Sequence, residues 1–157
     1  MKKETADRIR WGGILLFIIY LLFLTYFLFF SERYGRTSVE GRQIRYNLVP
    51  FVEIRRFVSF REQLGAEAVF LNVAGNILAF IPFGLLLPII LRPMRKGIRV
   101  VIWGFLFSMS IELLQMLTRV GSFDVDDLLL NTTGALLGLI LFRICNKVRR
   151  NYYGKAL

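Results

Sequence analysis

Long apolar blocks alternate with shorter polar stretches along this chain, and their lengths fit membrane-spanning helices. The segments Trp11 to Phe30 and Val69 to Leu91 contain no charged residue. Val100 to Leu117 contains one, Glu112, and Leu128 to Phe142 is shorter. Because a helix needs about 20 mostly apolar residues to span a bilayer, and charged residues flank the fourth block, each block is long enough. The pattern predicts an all-α integral membrane four-helix bundle, one domain over residues 1–157, with helices at about 11–30, 69–91, 98–118 and 127–145.

The first block follows Met-Lys-Lys, as a secretory signal peptide would. Residues Leu21 to Phe30 are bulky, however, and no small-x-small cleavage site precedes Ser31. We expect this block to be a retained first helix.

The connection at residues 31–68 is the one long polar segment. Within it, Phe51, Ile54, Phe57, Val58 and Leu64 recur at roughly helical spacing, with charged residues between them. This pattern predicts an extracytoplasmic interfacial helix between the first two membrane helices. Such a helix either covers the bundle or contacts a lipid substrate.

The distribution of charge indicates membrane orientation and not nucleic-acid binding. A net charge of +10 would suggest nucleic acid in a soluble protein, but here the basic residues flank apolar blocks. With the N-terminus inside, the inner segments carry 13 Lys and Arg residues and the outer segments 8. We therefore predict no nucleic-acid partner and a multi-pass plasma membrane protein with cytoplasmic N- and C-termini. The chain has no histidine and a single cysteine, Cys145, which excludes an internal disulfide and His-dependent catalytic triads.

Polar residues inside the apolar blocks are the candidate functional residues. Ser108, Glu112, Gln115 and Arg119 fall at i, i+4, i+7 and i+11, on one helix face. At about 1.5 Å rise per residue, Asn76, Glu112 and Asn131 reach similar depths on three helices. Further candidates lie above them, and we place these at the next layer or at the mouth: Asn72, Gln115, Asp127, Arg119 and Asp124. This arrangement predicts a cavity open to the outer face.

Glu112 has two interpretations. A buried carboxyl could lock the bundle by bonding Asn76 and Asn131, or it could serve as a proton acceptor or donor. Since an ionisable group in a bilayer is costly, we favour a functional role. Asp124, Asp126 and Asp127 could cap the last helix, interact with its dipole, or bind Ca²⁺ or Mg²⁺ together with Glu112.

Taken together, the ordered motifs resemble the VanZ-like family of bacterial membrane proteins. The motifs are Asn47-Leu-Val-Pro-Phe51, Asn72-Val-Ala-Gly-Asn76, Phe80-Ile-Pro-Phe-Gly84, Ser110-Ile-Glu-Leu-Leu-Gln115, Arg119, Phe123-Asp-Val-Asp-Asp127, Asn131-Thr-Thr-Gly134 and Gly138. Thr118 stands where the family usually has glycine. The resemblance implies a four-helix membrane protein related to an accessory factor for resistance to the glycopeptide antibiotic teicoplanin. It assigns no catalytic residue. Apart from the Ca²⁺ or Mg²⁺ considered above, the cofactor is unknown.

Two main functional hypotheses follow. In the first, an outward pocket binds or modifies a membrane lipid or lipid-linked cell-wall precursor. Glu112 and Asp127 are then the candidate catalytic residues, Arg119 would hold an anionic headgroup, and the remaining candidates, Asn72, Asn76, Gln115, Asp124 and Asn131, would bind substrate. In the second, the chain is a non-enzymatic scaffold or partner-binding protein, and its polar layer holds the helices together. A transporter is disfavoured by the small size and the lack of an internal repeat. The sequence leaves the oligomeric state open.

Overall fold

The computed structural model describes residues 3–30 and 44–154, and its elements are almost entirely helical. Residues 31–43 of the predicted connection lie outside this description. The helices are α1 (Lys3–Phe30), α2 (Val52–Ser59), α3 (Arg61–Leu64), α4 (Ala66–Ile90), α5 (Ile98–Leu117) and α6 (Val125–Tyr153). Two short strands, β1 (Tyr46–Asn47) and β2 (Phe123–Asp124), pair in parallel, and a 3₁₀ turn (Arg92–Lys96) joins α4 to α5.

Four of these helices, α1, α4, α5 and α6, are long and apolar enough to cross a membrane. Their large apolar side chains are widely exposed on the bundle surface, including Leu15, Phe23, Ile102 and Leu137. An apolar surface of this extent suits lipid rather than water. The predicted all-α membrane four-helix bundle is confirmed, and the chain is a multi-pass membrane protein.

Some helices extend beyond the apolar blocks. α1 begins at Lys3 and not at Trp11, and α6 continues to Tyr153, beyond the predicted end near residue 145. These extra turns carry charged residues, as expected for parts of a helix that continue beyond the bilayer. The apolar pattern marks the spanning segment, and capping residues mark the helix ends, as Gly154 does for α6 with a φ of 67°.

The centre of the bundle is a close approach of α4 to α6 along three glycines. A Cβ on Gly84 would lie 1.9 Å from the Ala135 carbonyl oxygen, and one on Gly138 would lie 2.1 Å from that of Ile81. Gly134 is equally tight, with its Cβ position 2.2 Å from the Ile77 carbonyl oxygen. Gly134 and Gly138, four residues apart on one face of α6, therefore form a small-residue seam that packs helix on helix within one chain.

Aromatic rings fill the adjoining core. Phe80 is 1% exposed, and Phe83 stacks on Phe107 with ring centroids 5.1 Å apart. Polar side chains collect at one end of this core, where residues 44–64 and 118–124 lie. We call it the loop end, and the opposite end, with the 3₁₀ turn and the start of α1, the terminal end.

The predicted helix between the first two membrane helices takes the form of α2 and α3. In α2, Ile54 and Phe57 are half-buried, and Val58 is exposed. The side chain of Leu64 lies outside the described residues. The position of α2 relative to a headgroup layer stays a prediction.

Candidate functional site

A polar cavity of about 210 Å³ lies among α1, α4, α5 and α6 at the loop end; we call it the helix cavity. Six of the residues predicted from the sequence line it: Asn72, Asn76, Glu112, Gln115, Asp127 and Asn131. Leu28, Ile111, Val120, Gly121 and Ser122 complete its wall. Asn76, Glu112 and Asn131, which the rise per residue places at one depth on three helices, thus surround one space.

Glu112 is buried, with 3% of its surface exposed. Its Oε2 accepts a hydrogen bond of 3.1 Å from the backbone N–H of Asp124. The carboxyl of α5 is therefore bonded to the loop that begins α6. This differs from the structural alternative in which Asn76 and Asn131 were its partners, because both amides donate elsewhere.

The Nδ2 of Asn76 donates to the Asp127 carboxylate, which joins α4 to α6. The Nδ2 of Asn131 donates to the Ser108 hydroxyl at 2.9 Å, which joins α6 to α5. Asn131 is only 4% exposed, yet its Oδ1 has no hydrogen-bond partner among the described residues. An unpaired buried acceptor costs about 1–3 kcal/mol. Asn131 lines the helix cavity, so a hydrogen-bond donor that reached this oxygen from a ligand or a water would offset that cost.

A second, wider cavity of about 360 Å³ adjoins the first; we call it the loop cavity. The two share Asn72, Ser122 and Asp127 in their walls, so they are neighbours, and we call the pair together the cleft. The other lining residues of the loop cavity come from β1 and the residue before it, from α2 and from β2: Arg45, Tyr46, Asn47, Glu53, Arg56, Phe57 and Asp124. The cleft runs from buried amide and carboxyl groups to a charged rim.

The β1–β2 pair fixes this rim. Asn47 lies opposite Asp124 in the parallel register, and its Nδ2 donates to the Asp124 carboxylate at 3.4 and 3.5 Å. The Asp124 Oδ1 also accepts from the Asp126 N–H at 2.8 Å, which caps the N-terminus of α6. One of the uses predicted for the three acids is therefore present at Asp124.

Asp126 caps a different helix. Its carboxylate accepts hydrogen bonds from the backbone N–H groups of Phe51, at 2.5 Å, and Ile54, at 3.0 Å. Phe51 has a φ of 67°, in the left-handed region. An anion at the positive end of α2 satisfies N–H groups that no side chain of α2 caps. Asp126 thereby docks α2 against α6.

Burial raises the pKa of two carboxyl groups at the rim, those of Asp124 and Glu53. Burial raises the pKa of the Asp124 carboxyl, although the hydrogen bonds from Asp126 and Asn47 pull it down. Burial also raises the pKa of Glu53. The Arg56 guanidinium, 2.8 Å from the Glu53 carboxylate, lowers this pKa, but the effect of burial is larger. These two acids hold a proton at higher pH than exposed carboxyls do.

Comparison with known proteins matches this chain to one family. The sequence pattern of the VanZ/LLP1 family covers residues 17–146. The chain belongs to the VanZ/LLP1 family. It is also 30% identical over 141 residues to Protein VanZ of Enterococcus faecium, a match that covers 84% of this chain and 74% of the relative. No solved structure matches.

The VanZ/LLP1 match contains all the residues that line the helix and loop cavities. The short motifs behind the resemblance also supply its main contacts. Asn47, Asn76 and Glu112 each bond a residue of the Phe123–Asp127 motif. Four motifs of this VanZ-like chain, those that contain Asn47, Asn76, Glu112 and Asp124, are separated in sequence but meet at one site.

Arg119 is the predicted site residue that the structure places apart. It is exposed and lines neither cavity. α5 ends at Leu117, and Arg119 has a left-handed φ of 56°, while the N–H groups of Val120 and Gly121 turn back to the Gln115 carbonyl. The stripe predicted at i+11 does not reach Arg119, because the helix stops before it.

Several residues of the rim are not among the candidates that the sequence pattern indicates: Arg45, Asn47, Glu53, Arg56 and Ser122. Asn47 could have been found, since it opens one of the family-like motifs. The two arginines give no local signal of their own. Arg56 pairs with Glu53 three residues before it, and its guanidinium lies 5.3 Å from the centre of the Phe57 ring.

The predicted Ca²⁺ or Mg²⁺ site has no geometric support. Within residues 3–30 and 44–154, no group of three or more acidic, cysteine or histidine side chains is arranged to hold a metal. The acids instead have separate partners in Asn47, Phe51, Asn76 and Asp124. These contacts turn the carboxylates toward separate partners, and Ca²⁺ or Mg²⁺ needs several oxygen ligands around one point.

Proposed function

We propose that this chain is a cell-envelope protein whose cleft binds the polar head of a lipid-linked or cell-surface component. We further propose that it lies in the bacterial plasma membrane, with both termini in the cytoplasm and the loop end outside. The excess of basic residues in the segments of the terminal end supports this orientation. Through its relationship to VanZ, the expected consequence of binding is lower susceptibility to teicoplanin.

The observation that carries the proposal is the unpaired amide oxygen of Asn131. Its nitrogen is fixed by Ser108, so the oxygen keeps its direction. A ligand hydroxyl or amide that donates to it would satisfy the buried acceptor. Sugar and peptide groups carry such donors, and they are the polar parts of lipid-linked wall components.

The loop cavity adds cationic groups to the entrance. Arg45 and Arg56 line it, and a guanidinium can bind a phosphate or carboxylate with two parallel hydrogen bonds. We assign to these two arginines the anion-holding role that the sequence suggested for Arg119. A ligand with its phosphate at the rim and its donors inside matches the order of groups along the cleft.

Glu112 and Asp127 are the candidates for proton transfer, should the bound component also be modified. Both line the helix cavity, and both carboxyls have one partner that fixes their direction. A positioned carboxyl that can gain or lose a proton is the minimum for general acid or base catalysis.

Glu112→Gln tests this role. Glutamine keeps an oxygen that accepts from the Asp124 N–H but cannot ionise, so the fold should be retained. We expect a teicoplanin-susceptible host that expresses this variant to have the inhibitory concentration of the empty-vector host, while the purified variant keeps the wild-type melting temperature. Protection that persists in a folded Glu112→Gln protein would exclude an acid, base or charged binding role for Glu112.

Binding itself is tested at Asn131. Asn131→Asp keeps the acceptor but loses the N–H donated to Ser108, whereas Ser108→Ala removes only the partner of that N–H. If the free oxygen binds a ligand, Ser108→Ala and Asn131→Asp should each keep part of the protection, because an acceptor remains but is held less firmly, and Asn131→Leu should abolish it. Equal loss in Ser108→Ala and Asn131→Leu, at equal melting temperatures, would contradict binding at this oxygen.

The alternative function is a non-enzymatic scaffold with a structural polar layer. Three hydrogen bonds favour it, since Glu112, Asn76 and Asn131 each connect two elements of the bundle. In that case protection should follow the melting temperature across all variants. A folded, stable variant that has lost protection would argue against the scaffold.

A further inference from the structure

A third cavity, of about 370 Å³, lies at the terminal end, away from the cleft. It opens between the start of α1, the last turn of α4 and the 3₁₀ turn. Three arginines and one acid line it, above an apolar floor: Arg10, Arg92, Arg95 and Asp7, with Ile89 and Ile90. We call it the arginine cavity.

The positive charge of the arginine cavity is only partly offset. Asp7 is its one carboxyl, and Arg10 and Arg92 form no ion pair within 4.0 Å with any described residue. Arg95 is held in place, because its Nε donates to the Pro88 carbonyl at 3.0 Å. Burial lowers the pKa of Arg95, and the charge of Arg92 lowers it further. The arginines thus repel one another, and an anion between them would relieve this repulsion.

The walls of the cavity change from apolar to charged where the apolar span of α4, Asn72–Ile90, ends. Ile89 and Ile90 are the last residues of α4, and Arg92 follows within two residues. Trp11, beside Arg10 in α1, is 69% exposed, as expected for an aromatic residue at a membrane interface. A ligand that suits both parts carries an anionic group attached to apolar chains.

The usual excess of basic residues on the cytoplasmic side of a membrane protein depends on how many there are. It does not explain why several of them line one cavity. Arg99 and Arg150 belong to the same end of the molecule but line no part of this cavity. The convergence of Arg10, Arg92 and Arg95 from two distant segments is therefore the feature to explain, and basic pockets of this kind between membrane helices suit acidic headgroups.

We propose that the arginine cavity binds the phosphate headgroup of an acidic phospholipid, with the lipid chains running along the apolar end of α4. Arg95 forms the fixed part of the site through Pro88. Arg10 and Arg92 are its adjustable cations, since both side chains are exposed. This site is separate from the cleft and does not depend on the function proposed there.

The test compares lipid binding to matched charge variants of the full chain in a neutral detergent. Phosphatidylglycerol is titrated, and bound lipid is counted by native mass spectrometry. The double variant Arg10→Gln/Arg92→Gln removes two cations from the cavity. Arg99→Gln/Arg150→Gln removes two exposed cations elsewhere at the same end. We expect the first to weaken binding roughly thirtyfold and the second to change it little.

Phosphatidylcholine and inorganic phosphate complete the experiment. The proposal expects weaker retention of the neutral lipid and no displacement of phosphatidylglycerol by phosphate at equal concentration. Equal weakening in both double variants would show general charge attraction and overturn it, as would unchanged binding in Arg10→Gln/Arg92→Gln. Tight binding of phosphatidylcholine, or displacement by phosphate, would also overturn it. The single variant Arg92→Gln provides the same comparison if the double variant fails to fold.

Discussion

The Oε2 of Glu112 in α5 accepts a hydrogen bond of 3.1 Å from the backbone N–H of Asp124, the residue before α6. A buried carboxyl of one membrane helix thus fixes the start of the next. Asp127 and Asn131 follow on α6, one and two turns later, so their positions in the cleft depend on this bond. The polar layer is both a structural joint and the wall of a cavity.

Replacement of Glu112 by residues that keep or lose the acceptor should separate these two roles. Glu112→Leu leaves the Asp124 N–H without a partner and should destabilise the protein by about 1–3 kcal/mol. Glu112→Gln should cost less, because its amide oxygen still accepts. The free energy of unfolding in detergent measures both. Equal stability of the two variants would show that the bond contributes little.

Removal of the Asp126 carboxyl should detach α2. Asp126→Ala leaves the N–H groups of Phe51 and Ile54 without an acceptor, which should cost about 1–3 kcal/mol. Hydrogen exchange of residues 52–59 should accelerate, while that of α5 should not. Glu62→Ala, at an exposed position of α3, is the control and should leave α2 unchanged. Uniform acceleration over the whole chain would mean that α2 is not an independent unit.

The α4–α6 contact should not tolerate a methyl group. Gly138→Ala places a Cβ 2.1 Å from the Ile81 carbonyl oxygen, so the helices must separate. We expect a loss of roughly 1–3 kcal/mol in the free energy of unfolding. Gly12→Ala in α1 is the matched control, because nothing lies within 4 Å of its Cβ. That variant should gain up to about 1 kcal/mol from helix propensity. A neutral Gly138→Ala would contradict the close packing.

Acidification should stabilise the joint at Asp124. The pKa of Asp124 is raised above its ordinary value of 3.8 in the folded protein, so folding favours the protonated form. The resulting stabilisation is full below the unfolded pKa and is lost as pH rises through the folded pKa. Wild type should therefore lose stability relative to Asp124→Asn, which keeps a capping side chain, as the pH rises above the ordinary Asp pKa of 3.8. Chemical unfolding at each pH measures the difference in the free energy of unfolding between the two proteins. If wild type instead gained stability relative to Asp124→Asn with rising pH, the prediction would be wrong.

Cysteine labelling tests the proposed orientation. In a Cys145→Ser background, Ser122→Cys at the loop end should react with a membrane-impermeant maleimide in intact cells. Lys96→Cys at the terminal end should react only after permeabilisation. Both positions are exposed, so access to the reagent depends on the side of the membrane. The opposite labelling pattern would invert the orientation and place the cleft on the cytoplasmic side.

The local sequence pattern determined the four membrane helices and the depth of their polar residues. Apolar blocks near the length of a bilayer predict the four helices, since each must satisfy its own backbone hydrogen bonds in lipid. The fixed rise per residue then places Asn76, Glu112 and Asn131 at one level, and all three line the helix cavity. The motif order, read together, also indicated the family.

Tertiary structure decided the partners. Glu112 bonds the Asp124 backbone, and Asp126 bonds Ile54 and Phe51, which precede it by 72 and 75 positions. No periodicity specifies these pairings. Arg119 leaves the site because α5 ends at Leu117, while Arg45 and Arg56 enter it because β1 and α2 fold over the helix ends. Periodicity fixes the direction and depth of a side chain within one helix. Contacts between segments depend on how the segments pack, and on which N–H groups the packing leaves for a carboxylate to accept.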